Sequence, residues 1–168
     1  KFGLVQNETQ RLIPLKAVGS GVFRTKSPIQ VGEKFKIAVT NSVECFIYVF
    51  GEETDGSSYT LFPYTQKHSS YCGITGTRLF PKDYSMVADN LGNRDRIAVV
   101  VSKEELNYTQ LNDLINQAPG GSYAEKVNTV LRDYLVQGVN FQAGDAISLD
   151  CQTDQRKVVA MVLEIDKQ

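Results

Sequence analysis

The sequence predicts a mainly β protein, an antiparallel β-sandwich of about 7–9 strands with a two-helix insert around residues 103–136. Three observations carry that expectation. Short segments rich in β-branched and aromatic residues recur between turns, as in Cys45–Phe50 and Arg96–Val101. Between residues 103 and 136 the apolar spacing changes to a helical period. Strand-like segments then resume, and a twisted antiparallel sheet of this size must cover its apolar face.

Taken in order, Leu12–Ala17 and Gly21–Arg24 are short strand candidates, followed by a turn at Ser27-Pro28 and Val31-Gly32-Glu33. Phe35–Val39 alternates apolar with polar or small residues, the signature of a half-buried strand. Cys45–Phe50 has the composition of a central strand. Asp55-Gly56 lies between two apolar runs, and glycine supplies the positive φ that a hairpin turn needs. Tyr59–Phe62 should therefore return antiparallel until Pro63 ends it. Residues 64–78 read as an irregular loop, Arg78–Pro81 and Tyr84–Ala88 as short strands, and Arg96–Val101 as a further strand.

Ser102-Lys103-Glu104-Glu105 has the serine–glutamate spacing of a capping box, which predicts a helix start there. Pro119-Gly120-Gly121 interrupts the helical pattern. A second capping box, Ser122 to Glu125, opens another helix, with Tyr123, Val127, Val130, Leu131, Tyr134 and Leu135 on its apolar face. That face must pack on something, most simply the sheet. Ala146–Leu149 and Val158–Ile165 flank a polar turn and read as a terminal hairpin.

The 168 residues fit one domain, 1–168, with enough chain to bury a core without staples. The leading Lys1 is read as a sign that this domain was excised from a longer protein. Lys and Arg number 18 against 19 Asp and Glu, so no basic excess exists to drive phosphate contacts and no nucleic-acid partner is expected. No apolar run approaches the roughly 18–20 residues of a transmembrane segment. Cys45, Cys72 and Cys151 match no zinc spacing, and His68 is the single histidine, so no metal or cofactor is expected. A Cys72–Cys151 bridge is compatible with the count but not readable from it.

Catalysis has one candidate pair, His68 and Cys72, in which imidazole would activate thiolate for a cysteine-dependent hydrolase. No third orienting group is evident, so the sequence favours a non-enzymatic module. Glu52, Glu53 and Asp55, like Asp145 and Asp150, read as solvated turn carboxylates rather than calcium ligands. The segment from Tyr59 to Tyr84 interleaves aromatic and basic residues, the chemistry of binding hot spots. Tyr64, His68, Tyr71, Arg78 and Tyr84 are its candidate ligand-binding residues, for a protein or peptide partner.

The order Val31-Gly32-Glu33-Lys34-Phe35, Phe46–Phe50, Asp55-Gly56, Leu61-Phe62-Pro63, Leu79-Phe80-Pro81 and Gly92–Val101 resembles a bacterial domain-of-unknown-function family, forty-three eighty-four. The sequence departs from that pattern at Leu91–Asp95, where Asp95 stands near the usual glutamate. The resemblance covers roughly residues 28–103 and carries no assigned catalytic residues. Members are typically appended to larger bacterial proteins, including caspase-like peptidases and protein kinases. It implies an accessory domain, in the periplasm, cell envelope or secreted, that recognises a partner or envelope component, or a spacer packed on an upstream peptidase.

Overall fold

The computed structural model describes residues 1–168. Its strands are β1 (Phe2–Gln6), β2 (Leu12–Ile13), β3 (Leu15–Gly19), β4 (Val22–Thr25), β5 (Lys34–Asn41), β6 (Cys45–Glu52) and β7 (Ser58–Phe62). They continue with β8 (Tyr71–Cys72), β9 (Gly76–Phe80), β10 (Met86–Val87) and β11 (Arg94–Ser102). Two helices follow, α1 (Tyr108–Gln117) and α2 (Tyr123–Leu131), and then β12 (Asn140–Gln142), β13 (Ser148–Asp150) and β14 (Val158–Asp166).

These elements form three layers. A smaller sheet runs β10-β5-β1-β2, with β9 also on β5. A larger sheet runs β3-β4-β14-β11-β6-β7, with β8 also on β6. Between them lies the main core, to which Leu4, Ile37, Ile47, Val49, Val99 and Leu163 contribute. Both helices cover the outer face of the larger sheet, where Tyr48, Phe50, Ala98 and Val100 meet Leu111, Ile115, Tyr123 and Val127. The central strands are therefore buried on both faces, which is why Cys45–Phe50 and Ile97–Val101 are continuous apolar runs rather than alternating ones.

The sandwich and its helical insert agree with the fold class expected from the sequence, with four particulars corrected. The larger sheet is mixed, because β4 runs parallel to β14. Short pieces such as β2, β8 and β10, two residues each, bring the strand segments to fourteen; nothing that brief leaves a periodic signal. The terminal hairpin does not form. β14 inserts between β4 and β11, while β13 pairs with β12. Both faces of β14 are apolar, and only a central position buries both.

The helix start at Ser102 is also corrected. β11 continues through Ser102, which pairs with both Val158 and Phe46, so the sheet ladder prevails over the local cap. Ser102 Oγ accepts from the Glu104 amide at 3.1 Å, two residues on rather than three. α1 begins after Asn107, whose side chain accepts from Gln110 N at 3.1 Å. The second capping box forms as expected: Ser122 Oγ accepts from Glu125 N, and Glu125 Oε2 accepts from Ser122 N at 2.8 Å. Of its apolar face, Tyr123, Val127 and Leu131 are buried, whereas Tyr134 lies beyond the helix end and is exposed. No helix is long and apolar enough to cross a membrane.

Candidate binding site

A groove of about 320 Å³ opens at one end of the sandwich, between β6, β7 and β11 of the larger sheet and β5 and β10 of the smaller. Its apolar walls include Tyr59, Leu61, Tyr84 and Met86. Four carboxylates border it, Glu52, Glu53, Asp89 and Asp95, against a single lining cation, Arg96.

Strand geometry places these groups. Tyr59 on β7 lies directly across from Gly51 on β6. A Cβ at Gly51 would sit 2.5 Å from Tyr59 Cζ, so the tyrosine ring lies flat over the glycine. This is the reason for a glycine inside an otherwise apolar strand. Burial, reinforced by the nearby charges of Glu53 and Asp95, pushes the Tyr59 phenol up to about 12. Gly51→Val is expected to swing the ring out of the groove and lower stability by about 1 kcal/mol. Thermal denaturation, together with the binding assay described below, checks this.

The acidic rim is partly neutralised from behind. Glu52 accepts from Arg96 at 2.7 Å. The Lys167 ammonium, only 1% exposed, bridges Asp89 at 2.6 Å and Asp95 at 2.5 Å and also donates to the Leu91 carbonyl. Burial pushes the Asp95 carboxyl up against the pull of Lys167. The Lys167 bond holds Asp89 below the ordinary range. Glu53 and the two tyrosine rings remain turned to solvent at the rim, Tyr84 at 56% exposure.

The five residues singled out by sequence divide into two groups. Tyr64, His68 and Tyr84 cluster: the Tyr64 ring packs 5.2 Å from His68 and 6.3 Å from Tyr84, and its hydroxyl accepts from the Lys82 amide. Only Tyr84 of these reaches the groove. Tyr71 and Arg78 lie elsewhere. Tyr71 packs on Phe46 and over Gly73. Arg78 donates to Asn41 Oδ1 and to the Ile74 carbonyl, both at 2.6 Å. Sequence reading placed Tyr59 in the aromatic segment but not among its candidate residues, and took Glu52 and Glu53 for solvated turn carboxylates; the Gly51–Tyr59 register that sets them at one groove comes from the fold.

His68 and Cys72 keep separate company. His68 Nδ1 bonds to Thr65 Oγ1 at 3.0 Å, whereas Cys72 is buried with its thiol donating to the Ser70 carbonyl. Burial raises the Cys72 thiol pKa, the reverse of what a nucleophile needs. All three cysteines are free thiols, and no group of three or more His, Cys, Asp or Glu side chains is arranged to hold a metal ion.

Residues 29–105 match the family described as a domain of unknown function (DUF4384). It is the family that the motifs of the sequence resemble. The match spans β5 through β11, and so includes every groove residue named above except Lys167. No curated protein and no solved structure matches the chain.

Proposed function

We propose that the domain is a non-catalytic recognition module that holds a cationic peptide segment in the Tyr59–Tyr84 groove. One observation carries this reading: two tyrosine rings face an open groove whose rim has four carboxylates against two cations, Arg96 in the lining and Lys167 behind it. A lysine or arginine entering it meets aromatic faces together with a carboxylate, Glu53, that no cation pairs, beside three that Arg96 and Lys167 compensate only in part. In the larger proteins that carry such domains, the peptide would be a basic segment of a partner or of a neighbouring domain.

The test is fluorescence anisotropy with a labelled hexalysine peptide, and hexaglutamate as control. The expected result is saturable hexalysine binding that weakens with added salt, since rim charges are screened. Tyr84→Ala is expected to weaken it about 5–10-fold. Equal binding of the acidic peptide, or indifference to Tyr84→Ala, would refute the reading.

A further inference from the structure

At the opposite end of the sandwich, a cavity of about 350 Å³ reaches between the sheets, and Cys45 forms part of its wall. Cys45 lies directly across from Cys72, on the neighbouring strand, in the β6–β8 ladder. Residues opposite one another on antiparallel strands point to the same face, and both thiols join the core between the sheets. The Ile47 amide donates to the Ser70 carbonyl at 2.9 Å, one of the two bonds of a hydrogen-bonded pair. Alternation along the ladder then puts Cys45–Cys72 at the same kind of position, where Cα atoms stand about 5.5 Å apart. That Cα separation lies within the range a disulfide spans, while the Cβ atoms of such a pair stand about 5.5 Å apart and must close by about 1 Å.

We infer that Cys45 and Cys72 form a reversible cross-strand disulfide, and that the cavity is the route by which an oxidant reaches them.

Three features support the assignment. β8 is two residues long and lies at the sheet edge, where a short strand can move by the roughly 1 Å that bond formation needs. Asn41 holds it in place, donating to the Cys72 carbonyl at 3.3 Å while accepting from Arg78 at 2.6 Å. The Arg78 charge favours the thiolate at both cysteines, offsetting in part the burial that raises their pKa values. Arg78, placed outside the groove, thus gains a role as a positioning residue.

The chemistry is thiol–disulfide exchange with a small disulfide. The Cys45 thiolate attacks one sulfur of the oxidant, forming a mixed disulfide and releasing one thiolate, which takes up the proton lost by Cys45. The Cys72 thiolate then attacks the Cys45 sulfur and releases the second thiol. The two cysteines lose two protons and two electrons, and the oxidant is reduced to two thiols.

The experiment treats the folded protein with 2-hydroxyethyl disulfide at mildly alkaline pH, alkylates remaining thiols and digests with trypsin. Cleavage after Lys67 puts Cys45 and Cys72 on separate peptides. Expected are a linked peptide pair joining these two cysteines, an alkylated Cys151, and a melting temperature raised by about 5–10 °C. Cys151→Ser should form the same link. A Cys45–Cys151 or Cys72–Cys151 link would overturn the inference, as would a mixed disulfide that never resolves or two thiols that stay reduced.

Discussion

Lys167→Met is expected to destabilise the domain by about 3 kcal/mol, one of the two largest effects foreseen here. The side chain is almost wholly enclosed and neutralises Asp89 and Asp95. Methionine fills similar space but leaves both carboxylates without their cation and the Leu91 carbonyl without its donor. Asp89 is half exposed, so water relieves part of the penalty and the larger values seen for fully enclosed pairs do not apply. For a chain of this length the loss corresponds to a melting temperature about 6–12 °C lower. Urea unfolding should show the midpoint falling with an unchanged slope. Adding Asp95→Asn should recover part of the loss, because one of the stranded charges is then gone. If the single and double variants lose the same stability, Lys167 does not act through Asp95.

Tyr123→Ala should cost more, about 3–5 kcal/mol, because it empties the contact between the helical layer and the larger sheet. The ring is fully buried against residues of β6, β11 and α1, and its hydroxyl bonds to Ser58 Oγ at 3.0 Å inside the protein. Tyr123→Phe keeps the ring and removes only that bond, so its expected loss is about 1 kcal/mol. The contrast separates packing from hydrogen bonding. Similar losses in the two variants would mean that the Ser58 bond, rather than the ring, holds the helices down. Ser58 is additionally tied to α1, its amide donating to Asn116 Oδ1 at 2.7 Å, so β7 and the helices form one unit beside the groove.

What could be read in advance followed the range of the interaction. The α2 cap was legible because it is closed within four residues, Ser122 to Glu125. The Asp55-Gly56 turn was legible for the same reason, with Gly56 at φ 82° and Asp55 Oδ1 accepting from Ser57 N. The neighbours of β14 were not legible. Its sequence states that both faces are buried, but not whether β13, β11 or β4 lies beside it. The cap at Ser102 had the right spacing and failed, because two flanking strands claimed the residue. At the candidate site, aromatic density marked Tyr64, His68 and Tyr84. The carboxylates that surround Tyr84 come from β6, β11 and the turn that follows β10, a convergence that only the tertiary fold creates.

The placement of β14 between β4 and β11 bears on biosynthesis. A ribosome delivers β4 and β11 long before residues 158–166 emerge, and during that interval the two strands that will flank β14 each have an unfilled edge. Such edges are templates for pairing with other chains. A nascent chain stalled before Val158 should therefore be a preferred client of holding chaperones. Addition of one nine-residue strand would then fill both edges.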